Sequence, residues 1–269
     1  MVSLTELPRD QRNVAYFERV AERYAGLYAE NSAVGAGFRL RQQRVFALFD
    51  KPRGKVLDVG CGPGVAVAEL LARGCTYHGV DAAAGMIEQC RRRFGDQPRA
   101  HFSVATAEHT GMPDATFDAV LCIGVLDRLA HDGPVFAELT RVLKPGGTLL
   151  VTASNVSSPY AWWRDFIYYP VVALGRALIN RLRGQKRPPG GGRHRLHSAG
   201  AVAGRLTDLG CHVEDIAYTG FLFWPSPLDT ALPGLVAASM QRLEPLGRGP
   251  LRRLGFCFVL KARKLGQAG

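Results

Sequence analysis

Two short blocks of the 269-residue sequence combine residue types and a spacing that could bind a charged nucleoside ligand. In the block Asp58-Val-Gly60-Cys-Gly62-Pro-Gly64, a glycine-rich turn follows an apolar run, and such a turn lets a ligand approach the peptide backbone closely. Asp81 ends the next apolar run, where an acidic side chain can accept hydrogen bonds from both hydroxyls of a ribose. The pattern therefore predicts a ligand that contains a ribose.

The spacing within the glycine block argues against a nicotinamide dinucleotide. Val65 stands where the G-x-G-x-x-G fingerprint requires its third glycine. Asp58 precedes the first glycine by two residues, and an acid at this place suits a cationic ligand better than a pyrophosphate. A long stretch with helical periodicity also comes before the block, which nicotinamide domains rarely need.

Strands and helices are predicted to alternate around these blocks, from hydrophobic periodicity and from glycine and proline breakers. The predicted strands are 55–60, 77–80, 101–105, 117–123, 148–153, 211–218 and 256–262. The predicted helices are 12–29, 38–49, 65–73, 85–94, 134–143, 198–209 and 228–244, with a break at Gly35–Gly37 between the first two. This alternation predicts an α/β fold with a parallel, doubly wound sheet.

Five ordered blocks resemble the motifs of class I S-adenosylmethionine-dependent methyltransferases of the small-molecule type. They are VLDVGCGPG at 56–64, HGVD at 78–81, ATAE at 105–108 with MPDATFD at 112–118, LCIGVL at 121–126 and RVLKPGGT at 141–148. The resemblance implies a Rossmann-like doubly wound sheet of about seven strands, mostly parallel with an antiparallel last strand. It also implies N-terminal helices before the sheet and a helical insertion after the fifth strand.

The same resemblance implies S-adenosylmethionine as the cofactor and assigns its binding residues by position. The backbone of Gly60 and Gly62 would hold the methionine moiety, with Asp58 near its ammonium group. Asp81 would take the ribose hydroxyls. The whole expected set is Asp58, Gly60, Cys61, Gly62, Asp81, Ala82, Met86, Ala107, Glu108, Cys122, Ile123, Tyr16 and Tyr24.

Within this set, Met86 would pack near the adenine, and Ala107 and Glu108 would flank its edge. Cys122 and Ile123 would line the sulfonium, although core packing is the stronger interpretation of the Cys122 side chain. Tyr16 and Tyr24 on the first helix would cover the cofactor, with ordinary core packing as an equal alternative.

Two departures from the family pattern bear on chemistry. Thr106 stands where relatives commonly have aspartate, so the contact to the adenine amino group would be weaker or would come from Glu108. Asp127-Arg128 stands where many relatives have Glu-His after the fourth strand, which excludes a histidine base at that point. The candidate general bases are then His194 and His197, although solvated loop cations are the favoured interpretation of both. Two histidines with no evident third ligand predict no metal site.

The segment 160–187 is the main indication of the acceptor. Aromatic and aliphatic residues form a block there, and arginine and lysine residues surround or follow it, which is typical of a helix lying on an anionic membrane surface. A lid over a hydrophobic acceptor and a buried helix of a cap domain remain alternatives. We expect four parts: an N-terminal helical cap at 1–50, a cofactor-binding core at 51–153, a helical insertion or lid with a basic loop at 154–197, and a C-terminal completion of the sheet at 198–269.

Composition limits the remaining possibilities. Lysine plus arginine exceeds aspartate plus glutamate by only one in residues 1–150 but by ten in residues 151–269. Six scattered cysteines fit a reducing compartment, and no segment has signal-peptide or membrane-spanning length. A cytoplasmic protein, with membrane association, is therefore expected.

The leading hypothesis is methyl transfer to a small, hydrophobic or lipid-linked acceptor, preferably at a hydroxyl oxygen. RNA methylation is an alternative, motivated by the basic second half, but no nucleic-acid-binding module accompanies it, so we do not expect nucleic acid as a partner. A non-catalytic adapter that docks to a membrane or to a protein partner is the third hypothesis.

Overall fold

The computed structural model describes residues 8–49, 52–183, 195–222 and 228–266 of the chain. Seven strands form one sheet in the order β3-β2-β1-β4-β5-β7-β6. The strands are β1 Lys55–Val59, β2 Thr76–Asp81, β3 Ala100–Val104, β4 Phe117–Cys122, β5 Leu143–Ser154, β6 Cys211–Thr219 and β7 Cys257–Lys264. Strand β7 runs antiparallel to both of its neighbours, whereas the pairs from β3 to β5 are parallel. The expected mostly parallel sheet with an antiparallel last strand is confirmed.

Apolar residues on both faces of the central strands explain this sheet. The side chains of Val56 and Leu57 are both fully buried, and because successive side chains of a strand point to opposite faces, they belong to different core clusters. A strand that is covered on both faces is apolar throughout, as parallel strands in α/β proteins are. Helices must therefore lie on both sides of the sheet.

The helices occupy the connections between strands and the region before β1. They are α1 Arg9–Tyr24, α2 Ala33–Leu48, α3 Val67–Ala72, α4 Ala84–Phe94, α5 Gly133–Val142, α6 Pro159–Trp162, α7 Tyr169–Arg183, α8 Ala199–Asp208, α9 Leu228–Ala231 and α10 Pro233–Leu243. Strand β1 lies between β2 and β4, so the chain passes to opposite sides of β1 as the sheet is built. At such a switch point a crevice opens at the carboxyl ends of the strands.

The predicted break at Gly35–Gly37 is wrong, because both glycines lie inside α2. Ser32 starts this helix and accepts a hydrogen bond from the Gly35 amide at 3.1 Å. A Cβ at Gly35 would come within 2.3 Å of the Glu30 carbonyl oxygen. Glycine at this position therefore permits close packing against the preceding turn and does not end the helix.

Three other boundaries differ from the predictions. The first helix ends at Tyr24 and continues as a 3-10 turn over Ala25–Tyr28. Strand β5 starts at Leu143 instead of 148, with a register irregularity against β4. The predicted helix 228–244 is interrupted at Leu232, since Pro233 restarts it as α10.

The insertion after β5 is helical, as expected. Ser158 caps it, and α6, a π-helical turn over Trp163–Tyr168 and α7 follow without an intervening loop. The wide π turn buries Arg164 and Asp165 while it leaves Phe166 exposed. Among the described residues, no helix is both long and apolar enough to cross a membrane.

Candidate functional site

A cavity of about 570 Å³ lies at the carboxyl ends of the parallel strands, within the size range of small-molecule sites. Two of its walls differ in character. We call one the glycine wall, formed by Asp58, Gly60, Cys61, Gly62, Asp81, Ala82, Ala83 and Met86. We call the other the aromatic wall, formed by Tyr24, Tyr28, Phe38, Tyr160, Tyr168, Tyr169 and Phe256.

The glycine wall is held in place by backbone hydrogen bonds. The amides of Gly60 and Cys61 both donate to the Val80 carbonyl oxygen, at 2.8 and 3.0 Å, and so fix the turn to the end of β2. Gly62 has a φ of 53°, and no described heavy atom lies within 4 Å of the position that a Cβ there would take. A ligand can therefore approach the peptide backbone at Gly62.

Asp81 connects the two loops of this wall. One carboxylate oxygen accepts from the Gly62 amide and the other from the Ala83 amide, both at 2.9 Å. An ionised carboxylate offers about four lone-pair sites, so each oxygen keeps acceptor capacity for a ligand hydroxyl. Burial raises the pKa of Asp81, and the two amide hydrogen bonds oppose that shift.

Asp58 is a second buried acid of the glycine wall. Burial raises its pKa to about 7, and the Asp81 charge adds to the shift, whereas the hydrogen bond from Tyr77 opposes it. The Tyr77 hydroxyl donates to the Asp58 carboxylate at 2.7 Å. Two neighbouring acids in one cavity favour a cationic ligand, because a positive charge would offset their mutual repulsion.

Most of the residues expected to bind the cofactor line this one cavity. They are Asp58, Gly60, Cys61, Gly62, Asp81, Ala82, Met86, Ala107, Glu108, Ile123 and Tyr24. Cys122 and Tyr16 differ. Cys122 is fully buried between β1 and β5, beside Val59 and Val151, so its side chain belongs to the core. Tyr16 is half-buried and packs its ring edge-on against Phe17, which lines the cavity in its place.

Of the two histidines considered as bases, His197 does not line the cavity. His194 lies outside the described residues. His197 is buried, and its amide donates to the Ser154 carbonyl, which ties the returning chain to the end of β5. Its ring stands 3.9 Å from Asp127 and 3.6 Å from Asp132. Burial lowers the pKa of His197, with these two acids opposing the shift, so a direct catalytic role does not fit its position.

Arg41 is the main site residue that the sequence did not indicate. Its guanidinium reaches the cavity, 5.1 Å from the centre of the Phe38 ring, and the Cβ position of Gly124 lies 3.0 Å from one of its nitrogens. No carboxylate of the described residues forms an ion pair with it. A half-buried cation without an ion-pair partner in this part of the chain favours an anionic group of a ligand. No sequence motif distinguishes Arg41 on α2, and it lies near the glycine turn only in the folded structure.

The aromatic wall carries its own polar groups. The Tyr160 hydroxyl donates to the Asp229 carboxylate at 2.9 Å, and both residues line the cavity. Arg164 makes a two-point contact with Asp165, at 2.7 and 2.9 Å, and stacks 4.8 Å from the centre of the Phe256 ring. Leu222 and Met240 complete an apolar space beside these groups.

The fold defines a Rossmann-like domain with a cavity at the switch point of its sheet. Residues 57–151 match the family model described as a methyltransferase domain. An uncharacterized methyltransferase of Mycobacterium bovis is 30% identical over 152 residues, which cover 53% of this chain and 74% of that protein. The chain therefore belongs to the S-adenosylmethionine-dependent methyltransferase family, with the class I fold.

Two further comparisons show the range of relatives. Phthiotriol/phenolphthiotriol dimycocerosates methyltransferase 1 of Mycobacterium ulcerans is 33% identical over 129 residues, which are 47% of this chain and 47% of that protein. The chain thus spans about half the length of several curated relatives it matches. Magnesium protoporphyrin IX methyltransferase from Synechocystis, solved with bound S-adenosylhomocysteine, shares the fold with a TM-score of 0.61. That alignment has 14% identity and covers 96% of this chain and 100% of the other.

Proposed function

We propose that the protein transfers a methyl group from S-adenosylmethionine to a small, apolar acceptor, preferably at a hydroxyl oxygen. One observation carries the proposal: a glycine wall suited to a cationic nucleoside and an aromatic wall suited to an apolar molecule enclose one cavity. When bound, the cofactor supplies an already activated methyl group. The protein then has to align the acceptor with that group and exclude water.

The residues of the glycine wall fit the cofactor. Asp81 retains lone pairs for the two ribose hydroxyls, and Gly62 leaves its backbone open to the ligand. Asp58 lies where it would face the ammonium and sulfonium charges. Met86 and Ala82 would pack against the adenine, with Glu108 at its polar edge.

Arg41 would complete this binding site. Its guanidinium lies beside Gly124, the residue two positions beyond the end of β4, and β4 is hydrogen-bonded to the strand that carries the glycine turn. A ligand carboxylate at that place would pair with the positive charge of Arg41, whereas the glycine wall carries the acids Asp58 and Asp81. The carboxylate of the cofactor's methionine moiety is the group that supports this assignment best.

The pair Tyr160–Asp229 would remove the proton from an acceptor hydroxyl. Asp229 lines the cavity and accepts a hydrogen bond from the Tyr160 hydroxyl of the aromatic wall. Asp127 also lines the cavity, but its two oxygens accept hydrogen bonds from the Ser154 amide at 2.8 Å and the Ser154 hydroxyl at 2.6 Å. We therefore assign a positioning role to Asp127, with His197 behind it, and proton transfer to Asp229.

The test is calorimetry with S-adenosylhomocysteine on the wild type, Asp81→Ala and Asp114→Ala. Asp114 is an exposed acid of the same domain and serves as the matched control. We expect a micromolar-scale dissociation constant that rises about 100-fold in Asp81→Ala and stays unchanged in Asp114→Ala. A folded wild type that does not bind would overturn the proposal and favour a non-catalytic adapter.

A second arm tests the acceptor. Purified protein with labelled cofactor is incubated with a panel of apolar hydroxyl compounds, their amine analogues and bulk RNA. Label in the hydroxyl compounds supports the proposed acceptor class. Label confined to amines or RNA contradicts it while leaving cofactor binding intact, so the two parts of the proposal fail separately.

A further inference from the structure

The helical segment from Pro159 to Arg183 exposes an apolar surface. Trp163, Ile167, Val171 and Leu174 follow one another at spacings of four, four and three residues, so they lie along one side of the helix. Their exposed fractions rise along the segment, from 37% at Trp163 through 49% and 64% to 74% at Leu174. We call these four residues, with Trp162 and Phe166, the apolar stripe.

The aromatic residues of the stripe form an ordered patch. The rings of Trp162 and Phe166 are stacked, with their centres 4.6 Å apart and both side chains more than half exposed. The indole nitrogen of Trp162 donates to the Val156 carbonyl at 2.7 Å, which fixes its orientation. A contiguous exposed apolar patch of this kind is typical of a surface that binds a protein or a membrane.

Charge identifies the class of surface that the stripe fits. Between Asp165 and Asp208 the sequence contains eight lysine and arginine residues and no aspartate or glutamate. Tryptophan and phenylalanine beside a uniformly basic region are suited to the interface of an anionic bilayer, where indole rings sit at the headgroup level. A protein partner would more often be matched by charges of both signs.

The stripe is part of the same helical segment that closes the cavity. Tyr168 and Tyr169 line the aromatic wall, while Ile167 and Val171, their close neighbours in the chain, are exposed on the stripe. An occupant of the stripe would therefore lie next to the aromatic wall.

We infer that the apolar stripe docks the protein on the surface of an anionic lipid bilayer. The helix would lie in the plane of the interface and not cross the membrane, since no helix in the described part of the chain is long and apolar enough to span a bilayer. The aromatic wall then borders the acyl region, and an apolar acceptor dissolved in the bilayer has a short route to the cavity. The docking itself does not depend on the proposed methyl transfer.

The experiment is co-sedimentation with phosphatidylcholine vesicles, with and without phosphatidylglycerol. It compares the wild type with the double variant Ile167→Glu/Leu174→Glu and with the control Leu265→Glu. Leu265 is 56% exposed. It directly follows the end of β7, which lies at the amino ends of the parallel strands, opposite to the cavity at their carboxyl ends. Tryptophan emission with brominated lipids gives a second measurement, because two of the three tryptophans, Trp162 and Trp163, belong to the stripe.

We expect the wild type and Leu265→Glu to sediment with anionic vesicles and to show quenched emission. The double variant should partition at least about tenfold more weakly and keep its affinity for S-adenosylhomocysteine. A wild type that stays in the supernatant at low salt overturns the inference. So does light scattering that shows a wild-type dimer which the double variant dissociates, because the stripe would then be a subunit interface.

Discussion

The two walls of the cavity are built in different ways. The glycine wall comes from two loops that directly follow neighbouring strands, and backbone amides hold its geometry. The aromatic wall collects side chains from α1, α2, the helical insertion and the start of β7, and side-chain contacts such as Tyr160 to Asp229 hold it. The first wall is therefore fixed by the local fold, whereas the second depends on the particular side chains present.

The difference between the two walls bears on specificity for the methyl acceptor. Backbone groups of the glycine wall would bind the same cofactor whatever acceptor is used, so that wall can stay constant. The aromatic wall presents hydroxyls and apolar rings, and Asp229 beside it adds a carboxylate; a few substitutions could change these groups without disturbing the sheet. Changes in the aromatic wall should alter turnover, and changes in the glycine wall should alter cofactor affinity.

The largest effect is expected on turnover from Asp229→Asn. If Asp229 takes the proton of the acceptor hydroxyl, its amide cannot, and kcat should fall by about 100-fold or more while cofactor affinity stays the same. The measurement is the pH profile of kcat with an apolar hydroxyl acceptor. The variant Tyr160→Phe keeps the Asp229 carboxylate, so its kcat should fall only a few-fold.

The matched control is Asp114→Asn, the same chemical change at an exposed position. An Asp229→Asn variant with normal kcat and an unchanged pH profile would show that Asp229 only orients Tyr160. The contrast between the walls would then lose its catalytic component.

A loss of cofactor affinity is expected from Arg41→Met, because a buried charge-assisted contact with a carboxylate is removed. The dissociation constant of S-adenosylhomocysteine should rise by about 10- to 100-fold. The affinity for 5′-methylthioadenosine, which lacks the amino-acid part, should stay the same. Calorimetry with both ligands makes the comparison, and Arg92→Met, on the exposed face of α4, is the control.

The alternative outcome is equally informative. If Arg41→Met leaves both ligands unaffected and raises only the KM of the acceptor, the anionic group belongs to the acceptor. Arg41 would then count as part of the aromatic wall.

The glycine wall could be predicted from the sequence because its information is local. A strand, a glycine turn and an acid at the end of the next strand lie within 27 residues, from Lys55 to Asp81, and each type of residue has a physical reason to be there. Parallel strands then bring both loops to the same edge of the sheet. The seven strands could be predicted because their apolar runs are distinct, whereas the antiparallel direction of the last strand came only from the family resemblance.

The position of Arg41 could not be predicted in this way. Arg41 is one of several arginines on α2, and nothing in its neighbourhood along the chain distinguishes it from Arg39 or Arg44, which bond to nearby carbonyl and carboxylate groups. For Cys122 the family resemblance implies contact with the sulfonium, whereas core packing is the stronger interpretation of its side chain, and the structure places it in the core. Long-range packing decides the position of Arg41.

The backbone approach at Gly62 can be tested by comparing Gly62→Ala with Gly74→Ala. Both glycines have positive φ and open space at the Cβ position, so both variants should lose a similar stability, about 1–2 kcal/mol. Only Gly62 lines the cavity. We expect Gly62→Ala to bind S-adenosylhomocysteine about tenfold more weakly, while Gly74→Ala binds normally.

Chemical denaturation and calorimetry on the same preparations make this comparison. Equal losses of affinity in the two variants would mean that backbone strain, not the intrusion of a methyl group into the cavity, weakens binding. The glycine wall would then owe its function to its conformation alone.

The smallest effect is expected from the pH dependence of cofactor binding. The pKa of Asp58 in the free protein is about 7, so its carboxyl group is largely neutral at pH 6 and charged at pH 8. A cationic ligand favours the charged form, which lowers the pKa of Asp58 in the complex. Affinity should therefore fall as the pH decreases below about 7, and the dissociation constant of S-adenosylhomocysteine should rise up to about tenfold between pH 7.5 and 6.

The variant Asp58→Asn separates this effect from titration of the ligand. The amine of the ligand titrates identically with both proteins, so the difference between their pH profiles belongs to Asp58. We expect a flat difference above pH 8 and convergence of the two dissociation constants below pH 6, because the protonated acid and the amide then present similar groups. Profiles that stay parallel across this range would mean that Asp58 serves only its hydrogen bond with Tyr77, and that Asp81 alone supplies the negative charge of the glycine wall.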